Sequence, residues 1–393
     1  MSGTTVPPPG DLLRIHVVWA SGSAEGERIA NLISDHFDGL GMERDGVAIR
    51  IPVRLVSAPW EEGGTVPRAI DLSKAEINAV VLLNDGYMQE DAAEWDEYVA
   101  ELRAAMDSRG ARDLYAAFGS PENDPQLPSD VARHTQYARR DRWGFSLEGT
   151  ALDARLLLHL LHALREHLRR LEGRGDVPEK LFVSHAKADG DRTAWNIVDY
   201  VNQKHQDVPL DTFYDAKELQ PGDDYEKVFE EEIGRGTLLA IVSDVYDSRP
   251  WCVYELTTAK RARRPIVLAD VGKVRTSRTF PYGANVPKIR VNADLADKSW
   301  IEQLLVQAIS EGLRCDIFAA QAARVTAAVG IVDVCILPRP PELFDLLPAG
   351  STAISIVYPD PPVGRLEAEI LNAAIAALGS TTTYTTLSEI GAP

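Results

Sequence analysis

The sequence predicts an α/β protein built from open parallel sheets with helices on their faces. Short apolar runs of strand length alternate with segments of helical periodicity along most of the chain. The same order of elements occurs twice, which indicates a duplicated architecture. We therefore predict a first part at residues 10–173, a second at 178–318 and a small βαβα unit at 325–393.

The first predicted part begins with a strand and ends with a long helix. Its strands are apolar runs bounded by turn-forming residues, and its first helix has apolar residues on one face. The predicted elements are, in order, a strand at 13–20, a turn at 21–26, a helix at 26–37, strands at 47–56 and 79–83, a helix at 93–106, a strand at 113–118 and a helix at 151–171.

The second predicted part repeats this order, and the third is half an open sheet. The third would bury its faces better against a neighbouring chain or domain, although an ordinary packing extension explains it as well. In the second part we predict strands from 180, from 212, at 237–243 and at 265–269, and helices at 194–204, from about 248 and at 300–313. In the third we predict strands at 330–337 and 353–358 and helices at 340–347 and 364–378.

One segment places an aromatic ring and a carboxylate four residues apart at the start of a helix. Trp251 and Glu255 directly follow Pro250, which is tolerated in a first helical turn. Residues four apart share a helix face, so both side chains should line one wall of a pocket. The strand at 237–243 ends just before this helix, and ligands of open α/β sheets bind beyond the carboxyl ends of strands. The sequence therefore predicts a functional site at this edge.

Three ordered segments resemble the TIR (Toll/interleukin-1 receptor) domain family. Residues 180–189 (KLFVSHAKAD) resemble its first strand and loop, and residues 212–223 (TFYDAKELQPGD) resemble its second strand and the Pro-Gly loop that follows. Residues 251–255 (WCVYE) resemble its Trp-Cys-x-x-Glu segment. Each match alone would be weak, whereas their shared order and spacing are specific. The resemblance covers roughly residues 178–318 and implies a flavodoxin-like open parallel sheet flanked by helices.

Several TIR domains are NAD glycohydrolases or cyclases, and the resemblance implies this activity here, in an effector of prokaryotic anti-phage immunity. The glutamate that matches the family's catalytic residue is Glu255. NAD+ would be the substrate, and no cofactor is expected. His185 could hydrogen-bond ribose or phosphate, or be a loop histidine without a ligand. The residues expected to bind the substrate are Trp251, His185, Ser184, Lys187 and Tyr246.

The same resemblance leaves a second class of function open. A non-catalytic TIR adaptor acts only by homotypic assembly, through surfaces such as the Pro-Gly loop, which here contains Leu219, Pro221, Gly222 and Asp223. In either class we expect a homo-oligomer or contacts with other TIR domains, and an upstream sensor protein is a further expected partner. Glu255 favours the enzyme, because an adaptor does not need a carboxylate at that position.

The first part resembles a degenerate TIR domain with an incomplete site. Aligning Trp95 with the site tryptophan places Val99 where the carboxylate should be. Aligning Glu101 with the site glutamate instead places Glu97 at the tryptophan position. A structural or regulatory role is therefore expected. The turn at 21–26 could hold a phosphate on its backbone N–H groups, but a tight turn alone explains its glycines.

Composition argues against several other classes. With 59 acidic and 41 basic residues the net charge is −18, which disfavours nonspecific binding to nucleic acid and to anionic lipid. No leader pattern or membrane-spanning apolar run is evident. The three scattered cysteines, Cys252, Cys315 and Cys335, fit a reducing compartment. We therefore expect a soluble, cytoplasmic protein.

Neither a metal site nor a cysteine nucleophile is expected. His159, His162 and His167 lie on one predicted helix, but no carboxylate or cysteine spacing completes a set of metal ligands. Cys252 neighbours the candidate site, yet no His-Asp arrangement supports a reactive thiolate there. Packing is the better interpretation of this cysteine.

Overall fold

The computed structural model describes residues 11–40, 51–61, 64–119, 137–138, 140–143, 147–175, 180–203, 207–213, 225–273, 281–293, 298–346 and 354–391. These residues form two compact units, the first up to residue 175 and the second from residue 180 onward. The predicted loop residues Leu219, Pro221, Gly222 and Asp223 lie outside the described residues.

The first unit contains a five-stranded parallel sheet with the spatial order β2-β1-β3-β4-β5. Its central strands β1 and β3 are buried along most of their length, as expected for a parallel sheet covered on both faces. The elements are β1 (Asp11–Val18), α1 (Ala24–Leu40), β2 (Val53–Val56), β3 (Ala75–Leu83), α2 (Gly86–Glu90), α3 (Ala92–Ser108), β4 (Leu114–Phe118), β5 (Tyr137–Ala138), α4 (Arg140–Trp143) and α5 (Gly149–Leu171).

The second unit contains another five-stranded parallel sheet, with the order β10-β9-β8-β6-β7. Every residue of the central strand β8 is buried. Just before β8, a Cβ on Gly236 would lie 1.8 Å from the carbonyl oxygen of Lys180, so only glycine allows this close approach. The elements are β6 (Lys180–His185), α6 (Asp191–Asn202), β7 (Asp211–Phe213), α7 (Tyr225–Ile233), β8 (Thr237–Val242), α8 (Pro250–Arg261), β9 (Ile266–Asp270), β10 (Lys288–Arg290) and α9 (Ser299–Val329).

The two sheets share one topology. When the strands are numbered within each unit, both have the order 2-1-3-4-5, which is the flavodoxin-like arrangement. The predicted fold class is therefore confirmed. In such sheets the order in which successive strands are added reverses between the first and third strands, here β6 and β8, and ligands bind beyond the carboxyl ends of these strands.

A third, smaller parallel sheet follows in the second unit, with the order β11-β12-β13. The sequence predicted two of its strands and missed the third, whose threonine-rich segment has no apolar run. Residues 340–347 were predicted as a helix, but residues 340–346, the part that the structure describes, contain only a short 3-10 turn at Leu343–Leu346. The elements are β11 (Val334–Ile336), β12 (Ser355–Tyr358), α10 (Arg365–Ala377), β13 (Thr383–Thr386) and α11 (Leu387–Gly391).

Helix α9 is much longer than predicted. The sequence predicts an end at residue 313, but the helix continues to Val329 and stops at Gly330, which adopts a left-handed conformation with φ of 75°. The added segment is rich in alanine, the best helix former, and has no breaker before Gly330. Its Phe318 and Ala322 pack on Val357 of β12, so one helix joins both sheets of this unit. No helix in the described ranges is both long and apolar enough to cross a membrane.

The far end of α8 is fixed to the segment between β11 and β12 of the third sheet. The Lys260 side chain is almost fully buried, and its Nζ lies 2.6 Å from Glu342 Oε1 and 2.9 Å from the Ala284 carbonyl oxygen. Burial lowers the pKa of Lys260, and the Glu342 carboxylate opposes that change. A buried ammonium needs such partners, so this contact restrains the helix that begins at the candidate site.

Candidate functional site

A cavity of about 540 Å³ opens at the carboxyl edge of the second unit's sheet. Trp251 and Glu255 both line it, as their helical spacing predicts. The lining comes from the end of β6 and the loop after it, from α7, and from the start of α8 with the residue before it. It consists of His185, Ala186, Lys187, Ala188, Phe229, Arg249, Trp251, Cys252 and Glu255.

Asp189 joins the loop after β6 to the loop after β8 at the edge where the cavity opens. Its Oδ1 accepts a hydrogen bond from Ser243 Oγ at 2.5 Å, and its Oδ2 accepts one from the Val245 backbone N–H at 3.2 Å. A short 3-10 turn follows, and α8 then begins at Pro250, whose missing N–H costs nothing in a first turn. The position of α8 relative to β6 is therefore set by side-chain as well as backbone contacts.

Glu255 is a buried carboxylate at the base of the cavity, with 8% of its surface exposed. Ser184 Oγ, at the end of β6, donates a hydrogen bond to Glu255 Oε2 at 2.5 Å. The Tyr246 hydroxyl lies 2.7 Å from the same Ser184 oxygen. Ser184 and Tyr246 are buried and are not part of the cavity lining, so both lie behind the carboxylate.

Trp251 presents a large aromatic surface at the cavity, with 52% of the residue exposed. Its ring meets Phe229 edge-on at 6.2 Å and Tyr254 edge-on at 5.6 Å between centroids. These contacts orient the indole without burying it. An exposed, oriented tryptophan is suited to packing against a flat ring of a ligand.

Cationic and titratable side chains lie on the same cavity. Lys187 and Arg249 both line it and are exposed. His185 also lines it, with Nε2 3.3 Å from Asp191 Oδ1 at the start of α6. The cavity therefore combines two basic side chains with one buried carboxylate, which suits a ligand that carries both anionic and electron-poor groups.

Cys252 is part of the lining but is not a reactive thiol. Burial raises its pKa to about 12, and the nearby Glu255 carboxylate adds to this effect. Its Sγ donates a weak hydrogen bond to the His185 carbonyl oxygen at 3.4 Å. A thiol with so high a pKa stays protonated at neutral pH and is a poor nucleophile.

Arg249 and Phe229 also line the cavity and were not predicted from the sequence as site residues. Arg249 directly precedes α8 at the same sheet edge as Trp251 and Glu255, and this position in the sequence could have identified it. Phe229 lies on α7, a helix that the sequence analysis did not predict. Its spacing of four from Ile233, with acidic residues between them, is the amphipathic pattern that could have revealed α7.

Among its described residues, the first unit has no equivalent of the Trp251 and Glu255 pair on one cavity. Trp95 is 1% exposed and packs edge-on against Tyr98 within the core, at 5.7 Å between ring centroids. Glu97 and Glu101 line a separate cleft between α3 and residues 60–61 and 64–69. In the turn at 21–26, Ser23 Oγ accepts the Gly26 backbone N–H at 3.0 Å. Phosphate binding at this turn stays a prediction.

Glu97→Ala and Glu101→Ala are each expected to leave the chemical step of the second unit intact. Both side chains are exposed and neither shares a cavity with the buried tryptophan of α3. Turnover of each variant is to be measured next to Glu255→Ala under identical, fully active conditions. If either variant loses as much activity as Glu255→Ala, the first unit contains an essential site.

Among the residues that the structure describes, no group of three or more His, Cys, Asp and Glu side chains is placed to hold a metal ion. The described part of the chain also has its three cysteines as free, buried thiols.

Comparisons with known proteins give weak matches. No protein-family model and no curated protein matches the chain. One solved structure, the TIR domains of the activated Roq1 resistosome directly recognizing the pathogen effector XopQ, has 24% identity and a TM-score of 0.21. That match covers 24% of this chain and 58% of the matched chain, which is less than two thirds of its length. Tagatose-6-phosphate ketose/aldose isomerase from Escherichia coli matches 77% of this chain and 81% of its own, with 12% identity and a TM-score of 0.22. The fold assignment rests on strand order.

Proposed function

We propose that the second unit binds NAD+ and cleaves the bond between nicotinamide and ribose, with Glu255 as the catalytic residue. The observation that carries this proposal is a buried carboxylate, held by Ser184 at 2.5 Å, in a cavity that it shares with the exposed Trp251. The resemblance of residues 180–189, 212–223 and 251–255 to TIR domains supplies the reaction class.

The chemistry needs few groups. As the glycosidic C–N bond breaks, its electron pair passes to the nicotinamide nitrogen, which becomes neutral, so the leaving group needs no proton. The ribose carbon becomes an oxocarbenium-like cation, and a carboxylate against the ribose stabilises it. Water then attacks the carbon and loses a proton to give ADP-ribose, or an adenine nitrogen of the same molecule attacks to give a cyclic product. Glu255 is the carboxylate that lines the cavity.

The rest of the cavity supports binding of this substrate. Trp251 and Phe229 offer apolar and aromatic surface for a base, and Arg249 and Lys187 offer positive charge for the diphosphate. His185 is within the same lining and has a hydrogen-bonding ring for ribose or phosphate. NAD+ is thus consumed as a substrate.

In the cell, we propose that the protein is a prokaryotic anti-phage effector. It depletes NAD+ or makes a cyclic ADP-ribose signal once an upstream sensor protein activates it. The second candidate is a non-catalytic TIR adaptor that works by assembly alone. The specific observation against the adaptor is that Glu255 lies in a cavity rather than in plain solvent.

Incubation of the purified protein with NAD+ discriminates the two functions. The enzyme releases nicotinamide in proportion to time and protein, and chromatography identifies whether ADP-ribose or a cyclic product accumulates. An adaptor leaves NAD+ unchanged at every protein concentration, including those at which light scattering shows assembly.

Activity per protein molecule is expected to rise with protein concentration. In TIR enzymes the loop that corresponds to residues 219–223 of one copy helps to complete or gate the pocket of the next. The glycine of that loop gives backbone freedom that proline removes. Gly222→Pro should therefore suppress turnover while the melting temperature stays close to that of the unsubstituted protein.

A dilution series with parallel light scattering measures this dependence. Constant specific activity in samples that are monomeric throughout would exclude a requirement for assembly, and Glu255 would then act within a single chain.

A further inference from the structure

A chain of three buried side chains ends at the candidate catalytic carboxylate. Tyr246, Ser184 and Glu255 are 0%, 1% and 8% exposed. The Tyr246 hydroxyl lies 2.7 Å from Ser184 Oγ, which lies 2.5 Å from Glu255 Oε2. The three residues come from three different elements: the 3-10 turn after β8, the end of β6, and α8.

The two hydrogen bonds have the same donor direction, from Tyr246 to Ser184 and from Ser184 to Glu255. A serine hydroxyl has a single proton, and Ser184 donates it to the Glu255 carboxylate. The contact between Ser184 and Tyr246 must then use the tyrosine proton, so Tyr246 donates to Ser184. Burial raises the pKa of Tyr246 well above its usual value, and the Glu255 charge raises it further. Tyr246 therefore keeps its proton at neutral pH and remains a donor.

The geometry points to Ser184 and Tyr246 as positioning residues for Glu255, rather than as contacts to the substrate. This inference rests on the proposed function of Glu255. A glutamate side chain has several rotatable bonds, and fixing it in one conformation has an entropic cost. Ser184 offsets that cost with a charge-assisted hydrogen bond, and Tyr246 orients the serine hydroxyl.

The consequence for catalysis is a carboxylate that is already aimed at the ribose before the glycosidic bond breaks. Electrostatic stabilisation is most effective when the stabilising group does not have to reorganise during the reaction. Hydrogen bonds in series also polarise one another, so the Tyr246 donation strengthens the Ser184 donation. Loss of the chain should therefore lower kcat and leave KM nearly unchanged, because the ligand-facing lining stays in place.

Two variants and their combination test the inference. Ser184→Ala removes the direct donor and should lower kcat about tenfold to a hundredfold, the range for loss of a hydrogen bond to a charged group. Tyr246→Phe keeps the ring and should lower kcat less, about threefold to tenfold. Because the Tyr246 hydroxyl is linked to the carboxylate by the Ser184 hydroxyl, the combined variant should have the kcat of Ser184→Ala alone.

Matched controls separate this role from a general loss of packing. Tyr200→Phe removes another buried tyrosine hydroxyl, which donates to the Glu302 carboxylate at 2.5 Å outside the cavity lining. Ser310→Ala removes another buried serine hydroxyl in the same unit. Both controls should keep the kcat of the unsubstituted protein even if their melting temperatures fall.

Three outcomes would overturn the inference: an unchanged kcat for Ser184→Ala, effects of the two substitutions that multiply in the combined variant, or a main effect on KM. A double-mutant cycle of Ser184→Ala and Glu255→Ala, measured as unfolding free energy, needs no catalysis, and each single substitution removes the hydrogen bond between the two side chains. If the unsubstituted protein does not cleave NAD+, the proposed function fails, while coupling in this cycle still shows whether Ser184 holds the carboxylate.

Discussion

Glu255→Gln is expected to lower nicotinamide release at least about a hundredfold while the protein remains folded. Removal of a group that stabilises charge developing in a transition state typically has an effect of this size. Glutamine keeps the side-chain volume, and its amide oxygen still accepts the Ser184 hydrogen bond, so the local structure is preserved. The measurement is nicotinamide release under saturating NAD+, with thermal melts of both proteins.

A matched substitution distinguishes a catalytic carboxylate from a general effect of charge. Glu226→Gln removes one exposed carboxylate from α7 in the same unit, outside the cavity lining, and should leave turnover unchanged. Near-normal turnover of folded Glu255→Gln would refute the catalytic assignment. Equal losses in the two variants would point to net charge instead.

Trp251→Ala is expected to raise KM for NAD+ about tenfold or more, because stacking of a base on an aromatic side chain contributes about 1–3 kcal/mol. The residue is 52% exposed, and its ring meets those of Phe229 and Tyr254 edge-on. Its removal should therefore cost the fold little stability. Trp251→Phe should recover part of the affinity because it restores a smaller ring.

Trp195→Ala is the control for loss of an exposed tryptophan. Trp195 lies on α6 with 43% of its surface exposed, and it does not line the cavity. Steady-state kinetics of both alanine variants should show a raised KM for Trp251→Ala alone. Unchanged KM in Trp251→Ala would mean that the ring packs against no part of the substrate.

The part of the site that the sequence could predict is the part governed by local periodicity. Trp251 and Glu255 share one helix, so a spacing of four was enough to place them on one cavity. The chain of Tyr246, Ser184 and Glu255 could not be predicted in this way. Tyr246 and Glu255 are 62 and 71 residues from Ser184 in sequence, and the parallel pairing of β6 with β8, with the packing of α8 against them, brings the three together.

The existence of the main strands could be predicted from the sequence better than the positions at which helices end. Strands β1, β3, β6 and β8 are long or strongly apolar, and all four were found. Helix α9 was predicted to end at residue 313, just after Gly312, whereas in the structure this glycine is buried within a helix that continues to Val329. Packing on both sheets outweighs the modest cost of one glycine, about 1 kcal/mol. Trp95 likewise belongs to the core of its unit, a distinction that spacing alone does not make.

Catalysis by Glu255 is best tested by a structure of Glu255→Gln bound to NAD+, in which slow turnover preserves the substrate. The nicotinamide ribose should lie against residue 255, with an aromatic ring of NAD+ on Trp251 and the diphosphate near Arg249 or Lys187. NAD+ bound away from this cavity, or a cavity that stays empty at saturating NAD+, would contradict it.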